Sequence, residues 1–319
     1  MVGPLVSILI GNHNYGRFLH EAIDSALAQT YPNIEVVVVD DGSTDDSRAV
    51  MQGYGDRITS VYKTNGGQGS AFNAGLTASH GEVICFLDAD DLFHPAKVQT
   101  VLDGFARHPE VGWVIHNYRK FFPDGHDEAV RHYRQEEVID DTARTRRGEY
   151  GVYCPPTSGL TFRRTLLATF FPVPEAIRIT TDNYLKHQSA LVSPVLLLPQ
   201  VLMSQRVHGA NLYTNLPARE LERKRYEVNW GIGLSLMEQA PSRPLGLTTM
   251  AGGLTSGVTS GALSVPGAMA RIMQLPYLSG RQRWSLTVRL LRGWLRPGAK
   301  LRALLKRLQP TPSSGQRAG

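Results

Sequence analysis

Along the first 121 residues, short continuous apolar runs alternate with stretches in which apolar side chains recur every three or four positions. VSILI (6–10) and IEVVVVD (34–40) are apolar on both faces, the pattern of strands covered by helices on two sides. ITSVYK (58–63), EVICFLD (82–88) and VGWVIHNYRKF (111–121) predict three more strands. Between them, Leu19, Ala22, Ile23, Ala26 and Leu27 share one face of a helix over 18–29. A glycine-rich loop, NGGQG (65–69), runs into a second helix. A third, over 95–107, opens with Pro95, tolerated in a first turn because its missing N–H has no helical partner there. The alternation predicts an α/β fold with a Rossmann-like, mostly parallel sheet flanked by helices.

The pattern changes further along. Residues 124–149 are charged and weakly periodic, and read as a mobile surface loop. YCPPTSGLTFRRTLL (153–167) carries a Pro-Pro turn and a Ser-Gly corner. A helix starts at TTDNYL, with Thr180 or Thr181 as N-cap and Asp182 in its first turn. VLLLPQVLMSQRVHGAN then gives a strand and a His/Asn loop, and beyond about Leu221 the reading is helical. The expected organisation is a catalytic domain over 1–222, a helical extension over 223–310 and a disordered tail over 311–319.

The unusual polar groups all fall at carboxyl ends of the predicted strands, where open α/β sheets bind ligands. They are Gly11–Asn14, Asp40–Asp45, Asn65–Gly69 and Asp88–Asp91. The last set is the most demanding. Asp88, Asp90 and Asp91 place three carboxylates in four residues, and like charges at that spacing repel and raise one another's pKa. A hard dication, Mn2+ or Mg2+, held by one or two carboxylates together with substrate phosphates, accounts for such a cluster. Capping of the helix near Pro95 by Asp90 or Asp91 is the plainer alternative.

Composition adds two constraints. With 42% hydrophobic and 19% charged residues the 319-residue chain reads as globular, and two cysteines supply neither a disulfide framework nor a CxxC site, which suits a reducing cytosol. Neither a signal peptide nor a membrane-spanning run is expected. The net charge of +6 is divided unevenly: from Ala240 onward there is no acidic residue and there are twelve basic ones, leaving 22 basic against 28 acidic residues before it. Trp284, Val288, Leu291 and Leu295 recur at helical spacing among Arg281, Arg289, Arg292 and Arg296, and Leu301, Leu304, Leu305 and Leu308 resume the stripe after Pro297-Gly298. A basic amphipathic helix of this kind can lie on an anionic membrane surface; packing on the catalytic domain or on a partner is the alternative, and sparse aromatic interleaving disfavours nucleic acid.

SILIGNHNYGRFLHEAIDSALAQTYPNIEVVVVDDGSTDDS, GGQGSAFNAG and FLDADD, in that order, resemble the family 2 glycosyltransferases, which have the GT-A fold. The likeness covers roughly residues 5–215. It implies a metal-dependent, inverting transfer from a nucleotide-sugar donor, UDP-sugar favoured, to a glycan or lipid-linked acceptor in cell-surface polysaccharide or glycolipid synthesis. Carried over residue by residue, Gly11, Asn12 and His13 line the base and ribose, Asp41 hydrogen-bonds the base, and Gly67 and Asn73 border the phosphates. Asp88 and Ala89 face the ribose. Asp90 binds the cation, with Asp88 and His208 beside it; Asp91 supports it; Ser158 and Gly159 border the donor sugar and acceptor. Asp182 is the general base, or, more plainly, a first-turn aspartate stabilised by its helix. A cytoplasmic enzyme, peripheral at the inner face of the membrane, is expected. A catalytically silent nucleotide-sugar-binding scaffold and a nucleotidyltransferase remain as alternatives.

Overall fold

The computed structural model describes residues 3–209, 211, 216–238, 242–275 and 278–295. These cluster into two compact units, one within Met1–Asn215 and Glu238–Leu245, the other within Leu216–Met237 and Gly246–Gly319.

The first unit is built on one mixed sheet. Strands β1 (Val6–Asn12), β2 (Ile34–Asp41), β3 (Thr59–Lys63) and β4 (Val83–Asp88) form its parallel part, in spatial order β3-β2-β1-β4. Ile8, Ile10, Val36, Val38, Cys85 and Leu87 share one core with apolar residues of α1 (Gly16–Leu27), α2 (Ser47–Tyr54) and α4 (Lys97–Arg107). On the opposite face Leu9 and Val39 meet α3 (Gln68–Thr77) so closely that a Cβ on Gly75 would lie 3.3 Å from Val39 Cγ2. Burial on both faces, at about 1.5–3 kcal/mol per large aliphatic side chain, explains why the run at 34–40 lacks alternation.

Beyond β4 the sheet continues through β9 (Leu160–Arg163), β6 (Trp113–Phe121), β10 (Val195–Arg206) and β5 (Leu92–Phe93). Here β9 is antiparallel to both neighbours, while β6 and β10 run parallel. The loop expected over 124–149 is instead structured: β7 (Asp127–Val130) pairs with β6, β8 (Glu137–Ile139) pairs with β10, and α5 (Thr142–Arg146) follows. These are short, exposed, charged edge strands, so no buried face imposes alternation on them. The expected side-chain cap of α7 (Thr181–Val192) is also absent: Thr180 occupies the cap position in a left-handed conformation (φ 50°) and its hydroxyl turns back to Ile179 O. A four-residue helix, α6 (Arg164–Leu167), completes the unit.

The second unit comprises most of α8 (Ala218–Met237) and α9 (Arg243–Ser260), with α10 (Val265–Gln274) and α11 (Gly280–Leu295). Position 222, the expected boundary, falls inside α8. The small-residue run has a packing reason: a Cβ on Gly253 would lie 3.0 Å from Trp230 N, and one on Gly257 3.0 Å from the Tyr226 ring. Helix α11 buries Leu286 and Leu290, whereas Val288 and Leu291 of the expected stripe are half-buried and Trp284 is 71% exposed. Residues 297–319, including the expected second stripe and tail, lie outside the described residues. No helix among the described residues is long and apolar enough to cross a membrane.

Candidate functional site

Sheet register brings the predicted strand ends together. Gly11 lies opposite Asp88, and Asn12 opposite Asp40. Asn12 is 2% exposed and its amide donates to Ser43 Oγ at 3.2 Å, so it fixes the loop after β2 instead of facing outward; its Oδ1 is buried with no hydrogen-bond partner among the described residues. His13 stays exposed beside Asn14 and Asn65. Asp45 serves two helices at once, accepting from Gly16 N at the start of α1 (2.9 Å) and from Ser47 N at the start of α2 (3.1 Å).

Asp41 organises the glycine loop. Its carboxylate accepts from Lys63 Nζ (2.6 Å), Gly66 N (2.8 Å) and Gly67 N (2.7 Å). The backbone anion site at the start of α3 is thus filled by a protein carboxylate, and the expected phosphate contact of Gly67 N is already taken. Asn73 is likewise engaged elsewhere: both ends of its amide bind the backbone of Val173, at 2.9 and 2.8 Å. Beside this loop Gly42, Ser43, Arg48, Tyr62, Lys63, Thr64 and Asn65 line an open recess of about 600 Å³, with the Arg48 guanidinium over the Tyr62 ring.

The carboxylate cluster lies at the end of β4. Asp90 Oδ2 is 3.0 Å from His208 Nε2 and accepts from Asn211 Nδ2 at 3.3 Å. Asp91, 3% exposed, accepts from Ser158 Oγ (2.7 Å) and Arg206 N (3.0 Å). Ser158 also accepts from Asp88 N at 3.0 Å, tying two members of the cluster together. Asp91, Ser158 and Gly159 are buried, Asp91 and Ser158 as supports of the cluster, and Ala89 is 2% exposed. Burial, then Asp90, then Asp182 push the Asp88 carboxyl up from its ordinary range; burial, then Asp90 and Asp88, do the same to Asp91.

Three further residues, none given a role by the motifs, complete the arrangement. Lys97 is fully buried, donates to Ser158 O at 2.6 Å and lies over the Phe93 ring; burial pulls its amine down to about 8. Gln68 donates to Asp88 Oδ1 (3.1 Å) while its carbonyl accepts from Thr181 N (2.9 Å), linking β4 to the helix that carries Asp182. Lys186 donates to Asp182 Oδ2 at 2.6 Å; burial opposes its charge, but Asp182 prevails and raises its pKa. A buried lysine inside a helix pattern has no one-dimensional signature, and Gln68, though within the glycine-rich motif, acquires its role only through tertiary contacts.

No group of three metal-type side chains is assembled among the described residues. The donor chemistry nevertheless suits a hard cation: Asp88 and Asp90 offer carboxylate oxygens, and Asp90 lies close enough to Asp88 to help raise its pKa.

A four-stranded parallel half-sheet with polar groups at its carboxyl ends places the candidate site where open α/β sheets bind ligands. The sequence matches the model of the family described as "Glycosyl transferase family 2" over residues 7–171. The chain belongs to that family. It is 40% identical over 214 residues to an uncharacterised glycosyltransferase of Nostoc sp., covering 65% of this chain and 66% of that one, about two thirds of the relative's length. Among solved structures it resembles Staphylococcus aureus TarS 1–349 in complex with UDP (TM-score 0.56, 17% identity, 90% of this chain and 80% of that one). It also resembles the mannosyltransferase PcManGT of Pyrobaculum calidifontis in complex with GDP-Man and Mn2+ (TM-score 0.53, 16% identity, 95% and 84%). The fold is that of GT-A glycosyltransferases.

Proposed function

We propose that the first unit transfers a sugar from a nucleoside-diphosphate sugar to an acceptor hydroxyl with inversion at the anomeric carbon. The observation that carries this reading is that Asp182 sits close enough to Asp88 to raise its pKa, so a potential base and a diphosphate-side acid cluster share one site. The donor base fits the recess at Arg48, Tyr62 and Asn65, and the diphosphate runs from there toward Asp88 and Asp90. UDP in TarS and GDP-Man with Mn2+ in PcManGT support a donor of this class. Asp90 with Asp88 would hold Mn2+ or Mg2+, which when bound neutralises charge on the departing diphosphate.

The residues themselves account for the remaining chemistry. Lys186 engages Asp182 Oδ2 and orients the carboxylate, while Oδ1 has no hydrogen-bond partner among the described residues and is the atom that takes the acceptor proton. As that O–H bond breaks, the acceptor oxygen bonds to the anomeric carbon and the carbon–phosphate-oxygen bond breaks, its electron pair leaving with the diphosphate. His208 and Asn211 orient Asp90; Ser158 and Arg206 orient Asp91. For the second unit, exposed Trp284 beside Arg281 and Arg289, lining a cleft of about 670 Å³, supports adhesion to an anionic membrane surface and hence a lipid-linked acceptor at the inner face of the cell membrane.

Melting curves with UDP-GlcNAc, UDP-glucose, dTDP-glucose and GDP-mannose, each with Mn2+ or EDTA, identify the donor by mass action. Donor hydrolysis that EDTA and Asp182→Asn both abolish supports transfer. Tight nucleotide binding without turnover supports the scaffold alternative, and pyrophosphate release from a nucleoside triphosphate the nucleotidyltransferase.

A further inference from the structure

Tyr153 is 47% exposed, yet it is held on several sides. Its ring lies against the His132 ring with centroids 3.6 Å apart and planes inclined at 30°. Its hydroxyl is 3.3 Å from Tyr118 Oη, and its backbone carbonyl accepts from Tyr133 Oη at 2.7 Å. Tyr118 and Tyr133 are buried, at 4% and 8% exposure, so an outward-facing ring stands on an aromatic base. His132 is exposed, and partial burial together with the Lys120 charge lowers its pKa below the ordinary value.

The position of this ring matters more than its exposure, since single exposed aromatics are ordinary. The next residue, Cys154, has its thiol 2.9 Å from Tyr150 Oη, and the Tyr150 ring stands edge-on to His187 of α7 at 5.0 Å. Tyr153 is also near enough to Lys186, the partner of Asp182, to act on its charge, and Asp91 acts on Tyr118. Beside Asp182, Thr181 Oγ1 and His187 Nδ1 are buried polar atoms with no hydrogen-bond partner among the described residues. An immobilised aromatic face thus lies near Lys186 and the helix that carries Asp182.

We propose that Tyr153, backed by His132, is a platform for a pyranose ring of the acceptor, so that the acceptor is a carbohydrate. This rests on the glycosyltransferase reading. A pyranose presents axial C–H groups on one face and hydroxyls around its rim. The negative face of a fixed phenol attracts those C–H groups and removes apolar surface from water, with little side-chain entropy left to lose. The rim hydroxyls are left to polar groups such as Asp182 Oδ1.

Saturation-transfer NMR of the full chain with the methyl glycosides of glucose, galactose, mannose and N-acetylglucosamine tests the platform without any donor. Saturation should reach the ring C–H protons of at least one glycoside, persist in Tyr153→Phe, which keeps the ring, and fall by about tenfold in Tyr153→Ala with the melting temperature retained. No transfer to any glycoside in the wild type, or full transfer in Tyr153→Ala, overturns the proposal, as does equal loss in Tyr153→Phe, which would assign the effect to the Tyr118 hydroxyl contact. Failure of the glycosyltransferase reading shows separately, as a wild type that binds glycosides while no nucleotide sugar shifts its melting.

Discussion

Lys186 Nζ donates a 2.6 Å hydrogen bond to Asp182 Oδ2 across one turn of the same helix. Both side chains are largely buried, at 7% and 14% exposure. The contact fixes the carboxylate's orientation and leaves Oδ1 for the acceptor hydroxyl, while Asp182 in turn raises the Lys186 pKa against its burial. Asp182→Asn should cut transfer by about 10²–10⁴-fold while leaving the donor-induced melting shift in place. Lys186→Met, which strands a buried carboxylate, should destabilise the fold by about 3–5 kcal/mol in urea unfolding. An active Asp182→Asn enzyme would remove the assigned base.

Crowding at Asp88, Asp90 and Asp91 predicts opposite effects on stability and function. Asp90→Asn relieves repulsion within the buried cluster, so the metal-free protein should melt higher, by about 0.5–2 kcal/mol of stability. The same variant should lose donor hydrolysis, as the wild type should in EDTA. Lowered stability together with retained hydrolysis would mean that the cluster is structural.

Gly67 has φ 87°, and a Cβ there would lie 2.6 Å from Arg178 O. Gly67→Ala therefore strains the loop and presses on backbone that cannot yield, at about 1–3 kcal/mol. Since Gly67 N also holds Asp41, donor affinity should fall with stability; Gly55→Ala, at φ 52° in open space and away from the site, should lower stability alone.

Lys97 gives a pH signature. Its amine is depressed from 10.5 to about 8 by burial. Below that value both folded and unfolded chains hold the proton; between about 8 and 10.5 only the unfolded chain does. Stability contributed at this site therefore rises with pH across the window, by about 3 kcal/mol in all, and is lost again as pH falls through the folded value. Unfolding of the wild type and Lys97→Met compared between pH 7 and 10 isolates it: the difference between them should change with pH in favour of the wild type. A constant difference would contradict this account.

The parallel half of the sheet was legible because β1, β2 and β4 are buried on both faces and each of its strands ends in a polar motif. Strand direction was not, since β9 carries the same apolar pattern whichever way it runs. The acidic cluster was visible as Asp88, Asp90 and Asp91, but its supports were not. Ser158 reads as a turn residue, yet tertiary contact makes it the link between Asp88 and Asp91. Lys97 and Gln68 occupy ordinary helical positions and acquire meaning only through partners 61 and 20 residues away. Asn73 shows the reverse: a motif position whose amide is consumed by a loop a hundred residues distant.

The central claim concerns Asp90 and a nucleoside diphosphate bound through a dication. Calorimetric titration of UDP and of GDP into the wild type and into Asp90→Asn, in Mn2+ and in EDTA, measures it directly. One nucleotide should bind the wild type in Mn2+ and weaken by about tenfold or more both in EDTA and in the variant. Equal affinity under all four conditions would contradict the account.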